Sequence, residues 1–211
     1  SKIIHKGYLN DTLFLTLKIK NMSCPTVILK GIAKDCNTVN APIGALKDLI
    51  LINYDEFDFV QTKAIANRET TDANLNIDGL TSIVLKQGAV QHIFAGTDYS
   101  VVPNVTAEIK EDGDTSFVHS IAFVVYSKLA TDRKTLEALA GSKVIAVTVD
   151  RSTGLLELFG MFQGLKMSAV ERAYVGTQNS NFYAVTIATP DIAVIREPNM
   201  GELALSLTTS T

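Results

Sequence analysis

The chain has 211 residues, enough for one domain with a sizeable buried core. Apolar residues make up 46% of it and charged residues 19%, a globular balance that argues against disorder. A formal net charge of -3 without any Lys/Arg-rich run excludes a built polyanion-binding surface, and no apolar run approaches the roughly 20 residues of a membrane-spanning helix.

Residues 13–20 (LFLTLKIK) put Leu13, Leu15, Leu17 and Ile19 on one face and Phe14, Thr16, Lys18 and Lys20 on the other. That is strand periodicity; Lys18 would interrupt the apolar core of an export signal. Residues 21–23 lack the aliphatic side chain that a lipoprotein signal places three positions before its cysteine, here Cys24. Met22 offers an alternative start, which would leave 1–21 as an extension.

Residues 26–29 read as a short buried strand, 31–44 as an irregular loop, and 49–52 (LILI) as a second buried strand. An acidic patch follows at Asp55, Glu56 and Asp58, with Phe57, Phe59 and Val60 continuing as a half-exposed strand. Residues 61–79 are polar, rich in turn formers and closed by Asp78-Gly79, which predicts a projecting loop.

Strand-like runs return at 82–86, 91–95 and 105–110, and 111–114 (EDGD) is a turn. Residues 116–126 form the strongest strand. Phe117, His119, Ile121, Phe123 and Val125 share one side, with Val118, Ala122, Val124 and Tyr126 opposite. Both sides are mostly apolar, which places this strand inside a sandwich or under a helix. One helix stands out at 131–140, with Thr131 as N-cap, Asp132 in its first turn, a stripe of Leu136, Leu139 and Ala140, and Gly141 as a left-handed stop.

Residues 144–149 and 155–159 flank the turn 150–154 as a hairpin. A further strand lies within 164–174, a turn-rich loop at 175–181, a clear strand at 182–188 and a short one at 192–196. A Ser/Thr-rich tail follows. The fold class expected is mainly β: two packed antiparallel sheets, sandwich- or barrel-like, with one short flanking α-helix at about 131–140.

Nothing in this pattern is an enzyme's catalytic constellation. Cys24 and Cys36 lack neighbouring ligands at zinc spacing, and His5, His92 and His119 fall on three separate elements, so no metal site is expected. The two cysteines read as packed free thiols, a Cys24–Cys36 disulfide being the alternative of an oxidising compartment. His119 reads as a packed, hydrogen-bonded histidine. Asp55, Glu56 and Asp58 read as a solvated strand edge, since the glycine turn of a dedicated calcium loop is missing. Phe57 with Phe59, and Phe159 with Phe162, read as core aromatics, because no basic residues interleave them as a nucleic-acid groove requires. No nucleophile elbow or phosphate-binding glycine loop occurs. Catalytic, cofactor-binding and metal residues, and any cofactor, are therefore expected to be none.

The order of features is more specific than any one of them. An opening at 22–25 (MSCP), the long strand 116–126, the stretch 129–140 (LATDRKTLEALA), then 144–150 (VIAVTVD), 158–160 (LFG) leading into Gly164-Leu165, and the strand 183–188 together resemble the bacteriophage major tail-tube proteins. The resemblance spans about 22–198. It implies a single tail-tube-like β domain over those residues, an N-terminal extension at 1–21 that is an added strand or an appendage, and a C-terminal tail at 199–211. It also implies a virion structural protein of the phage tail, assembled in the bacterial host cytoplasm. Such a protein forms stacked hexameric rings around a conduit for DNA ejection. Its partners would be its own copies, other tail proteins (sheath or tape measure, tail terminator) and DNA in non-specific transit, with no membrane. In that setting 61–79 becomes an inter-ring arm. Two rival readings remain. One is another phage structural protein, a head-decoration or head–tail connector component; the other is a secreted or cell-surface β-sandwich binding protein.

Overall fold

The runs 49–52 and 144–147 carry no polar position, and their place in the fold explains it. Residues 45, 48–66, 80–109, 115–126, 129–172, 182–190 and 197–210 are described in this computed structural model, all within one compact unit. The expected strands at 13–19, 26–29 and 192–196 lie outside the described residues. So do His5, Met22, Cys24, Cys36, the turn 111–114, the loop 175–181 and most of 61–79.

Strands β1 (Asp48–Asn53) and β6 (Val144–Val149) pair antiparallel, Leu51 opposite Ala146. With β3 (His92–Ala95), β7 (Leu156–Phe159) and β10 (Glu202–Ala204) they form a five-stranded sheet in the order β10-β7-β6-β1-β3. A second sheet is antiparallel throughout and ordered β4-β5-β9-β8: β4 (Val101–Ile109), β5 (Thr115–Tyr126), β9 (Phe182–Ala188) and β8 (Lys166–Glu171). Between the sheets lies one core, where Leu49, Leu51, Ala146 and Phe159 meet Ile121, Phe123, Val185 and Ile187. The protein is a β-sandwich.

The centre of the five-stranded sheet is buried on its other face too. Ile52, Ile145, Val147 and Leu158 join Leu80, Ile83, Leu85 and Ala204 in a second core. A thin third layer covers it: β2 (Ile83–Leu85) with β11 (Leu207–Thr209) in parallel, and the helix α1 (Phe59–Ala66). Alternate side chains of β1 and β6 thus enter opposite cores, which is why the runs 49–52 and 144–147 are apolar at every position. Each such side chain contributes about 1.5–3 kcal/mol on burial.

Three expectations are corrected by the local chemistry. The half-exposed strand at Phe57, Phe59 and Val60 is instead a 3-10 turn (Tyr54–Glu56), a single bridge at Phe57, and α1. Asp58 decides this. Its Oδ1 accepts the Gln61 N–H at 3.0 Å, satisfying a donor of the helix's first turn, while its own N–H donates to Val84 O at 3.0 Å. The flanking helix, α2 (Ala130–Gly141), is one residue longer at each end than expected. Leu129 rather than Thr131 occupies its N-cap, and it stops at an extended Ser142 whose N–H reaches Leu139 O, without a left-handed Gly141. Leu136 and Leu139 do enter the inter-sheet core, as the stripe requires. Finally, the residues read as a tail carry β10 and β11, each hydrogen-bonded into a sheet.

Burial depth sets the expected stability effects. Ile145→Ala should lower the unfolding free energy by about 2–5 kcal/mol. Val102→Thr, half-exposed on the outer face of the four-stranded sheet, should change it by no more than about 0.5 kcal/mol. Urea denaturation of both variants checks the difference.

Candidate functional site

β5 was expected to be buried on both sides, yet one side faces outward. His119, Ile121 and Phe123 are buried, whereas Ala122 is exposed and Val118, Ser120 and Val124 are half-buried. Strand register lays this outer face out in rows: Val102-Ala122-Thr186-Ala169, then Asn104-Ser120-Ala188-Lys166, then Val124-Ala184-Glu171. Small and neutral side chains dominate it. Its alternation with the core side is the normal pattern of a sheet covered on one face only.

Among the described residues, both ends of this sheet are open: β4 pairs only with β5, and β8 only with β9. The hydrogen bonds fix which backbone groups face the opening beyond β4. Phe117 N–H donates to Glu197 O (2.9 Å) and Thr189 N–H to His119 O (2.9 Å), so odd-numbered residues of β5 turn away from β4. Even-numbered residues turn toward it, as Val124 N–H does in donating to Ser100 O (3.2 Å). The partners of the odd residues are Val101, Pro103, Val105, Ala107 and Ile109. These form the wide-spaced pairs of the ladder, so their own backbone groups point at the open edge. At β8 the ladder shifts register between Met167 and Ala169, leaving Ser168 as a bulge whose hydroxyl donates to Thr186 O at 3.2 Å.

A buried polar clamp fastens the second sheet to the turn after β7. The His119 Nδ1 accepts the Gly160 N–H at 3.2 Å, and its Nε2 donates to Asn199 O at 2.8 Å. A backbone N–H can only donate, so His119 is neutral with its proton on Nε2. Glu197, fully buried, accepts the N–H groups of Phe162 (3.1 Å) and Gln163 (2.7 Å). Tyr54 Oη donates to Phe162 O at 2.6 Å, and Lys143 Nζ sits 3.9 Å from the Tyr54 ring centre. The turn needs glycine at both ends. Gly160 (φ 75°) and Gly164 (φ 67°) are left-handed, and a Cβ would fall 2.7 Å from Leu165 Cγ at the first and 2.6 Å from Lys143 Cε at the second.

Burial shifts the titration of these groups. Desolvation lowers the His119 pKa, outweighing its bond to Asn199 O. Desolvation raises Glu197, although the Gln163 and Phe162 N–H groups and Lys143 oppose it. Asp150, in the β6–β7 turn, goes the other way: burial opposes its ionisation, but hydrogen bonds from Ser152 and Thr153 outweigh that and lower its pKa.

The sequence candidates are scattered. His119 is the clamp residue just described, and His92 is exposed on the edge strand β3. Of the acidic trio, Asp58 caps α1, Glu56 Oε2 accepts the Val90 N–H (3.1 Å), and the Asp55 carbonyl accepts from Lys86 Nζ (2.7 Å). Phe57 is buried and stacks edge-on with Phe59, which does the same with Phe162. No group of metal-ligating side chains gathers among the described residues. A cleft of about 400 Å³ between β4 and β7/β10 is lined by Glu157 and Glu202, both with pKa raised by burial. Register pairs Leu203 with Glu157 and Glu202 with Leu158, so the two carboxylates leave opposite faces of the sheet and do not converge. Sequence reasoning missed Glu197, which no local pattern marks. It also missed the cap at Asp58, which the spacing Asp58-x-x-Gln61 announces.

No family model matches the chain, and neither do the curated proteins or the solved structures with which it was compared.

The His119 clamp predicts a pH dependence of defined sign. With its pKa lowered in the folded state, His119 takes up a proton more readily when unfolded, so its neutral hydrogen bonds cost stability as pH falls below about 6.5. The raised pKa of Glu197 acts oppositely, the folded state gaining on protonation as pH falls toward the ordinary carboxylate value. His119→Gln should therefore be less stable than wild type at pH 8 by about 1–3 kcal/mol, with the gap narrowing on acidification to pH 5.5. Urea titrations of both proteins across that range measure it.

Proposed function

We propose that the chain is a structural virion protein, a tail-tube subunit of a bacteriophage. It self-assembles into stacked hexameric rings that form a conduit for DNA ejection. One observation carries the reading: a four-stranded antiparallel sheet whose two edge strands take no further partner among the described residues and run in opposite directions. β4 is antiparallel to β5, β5 to β9 and β9 to β8, so β4 and β8 run in opposite senses. Subunits related by rotation about a ring axis keep their strand directions. The β4 of one copy then meets the β8 of the next antiparallel, and the sheet continues around the ring without a break. Closure of this kind removes exposed edges that would otherwise template aggregation.

The dimensions support the reading. Six copies with four strands each, at about 4.8 Å spacing and about 40° tilt, make a barrel roughly 48 Å across between backbones. That leaves room for a DNA duplex. The core side of the sheet is occupied by the sandwich, so the rows from Val102 to Ala169, from Asn104 to Lys166 and from Val124 to Glu171 would line the channel. Most side chains there are small, and Lys166 and Glu171 carry opposite charges, so these rows build no continuous cationic track to hold phosphates, which suits passage over retention. Tape-measure or sheath and tail-terminator proteins are the further partners this role requires, and the virion tail its location.

Electron microscopy of the concentrated protein tests the reading, with stacked rings or tubes as the expected result. Ala107→Pro removes an N–H that faces the open edge and is not part of the β4–β5 ladder. It should leave thermal unfolding of the monomer within a few degrees of wild type and abolish the rings. Rings formed by Ala107→Pro would overturn edge pairing. Discrete monomers or trimers of wild type under all conditions would favour a head-decoration or connector protein instead.

A further inference from the structure

Each edge of the four-stranded sheet that is open among the described residues carries an interruption of regular strand geometry. Pro103 stands in β4 opposite Ile121, at a position whose backbone groups face away from β5. Its missing N–H therefore costs the β4–β5 ladder nothing. It matters only to a strand that adds to the outside of β4. On the opposite edge the Ser168 bulge breaks the regular spacing of outward groups between Met167 and Ala169. Proline and bulges are the two backbone devices by which sheets discourage pairing at an edge. Here one of each stands at the two surfaces that would join.

We infer that Pro103 and the Ser168 bulge are brakes on subunit joining. They weaken the β4–β8 junction enough to keep the free chain monomeric, and they confine docking of a second copy to the strip beyond Pro103. This inference rests on the tail-tube reading. The strip presents outward N–H groups at Val105, Ala107 and Ile109, and the Ile109 side chain is 77% exposed beside them. A second copy is the occupant because β8 supplies the complementary edge in the required direction, with Val170 51% exposed on it. The junction is thereby short and individually weak, so a ring becomes stable only when all its junctions close together. Free subunits then wait for a template and do not polymerise on synthesis.

Pro103→Thr restores one backbone donor to each junction. It should lower the protein concentration at which rings form by about five-fold per junction, as one added hydrogen bond predicts. Deleting Ser168 straightens β8 and should act in the same direction, which keeps the test open if one variant folds poorly. Light scattering against concentration gives the threshold, electron microscopy the product, and thermal unfolding the integrity of each subunit. Rings like those of wild type at a lower threshold support the inference. An unchanged threshold in folded variants overturns it, as does amorphous aggregate in place of rings. If thresholds are unchanged while Ala107→Pro still blocks wild-type assembly, the brake fails and the tail-tube reading stands. If wild type assembles through some surface that Ala107→Pro does not touch, both fail.

Discussion

Burial of the centre of the five-stranded sheet on both faces is the constraint on which the remainder of the structure depends. β1 and β6 hold its centre, and their alternate side chains enter two separate cores. A sheet buried on both sides needs a cover on each, and the chain provides two very different ones. One is the broad four-stranded sheet; the other is a thin layer assembled from α1, β2 and β11. The second cover is drawn from segments distant in sequence, which explains why the C-terminal strands cannot be a free tail. Ala204 and Leu80 sit in the same core, and Leu80 N–H donates to Leu203 O at 2.7 Å.

Between the two sheets the packing is apolar except at one end, where His119 and Glu197 are buried among backbone donors and acceptors. Such groups cost several kcal/mol if left unpaired, so their value lies in specifying one arrangement. His119 bonds simultaneously to Gly160 and Asn199, and Glu197 to Phe162 and Gln163. A shift of the four-stranded sheet and the adjoining Glu197 against the turn 160–164 would break the three bonds to Gly160, Phe162 and Gln163 at once. The orientation of that sheet is thereby fixed, and with it the direction in which its open edges point.

This rigidity bears on assembly. A subunit that closes a ring through its sheet edges must present both edges at a set angle, since errors accumulate around the circle. Hydrogen bonds across an edge are also cheap to form wrongly. On the tail-tube proposal, Pro103 and the bulge at Ser168 shorten any pairing at these edges, so that only junctions closed together around a ring would persist. On that proposal the same sheet would combine a stiff attachment on its inner side with a restrained, directional adhesive at its rims.

Much of the fold was legible in the residues. Unbroken apolar runs at 49–52 and 144–147 marked strands buried on both faces, the spacing of Leu136 and Leu139 marked a helix docked on a sheet, and the Asp150–Gly154 turn marked a hairpin. These signals are local: each depends on side chains a few positions apart. The helix at Asp58 was equally local but was overridden in the reading by the Phe57-x-Phe59 alternation. What the sequence by itself determined was therefore most of the strands, the flanking helix and the mainly β class. Only the tertiary structure decided that β5 is buried on one side, that Glu197 reaches the turn at 162–163, and that β4 and β8 end their sheet with opposed directions. Those facts depend on which strands become neighbours, and pairing between segments far apart in the chain leaves no trace in the spacing of any single segment.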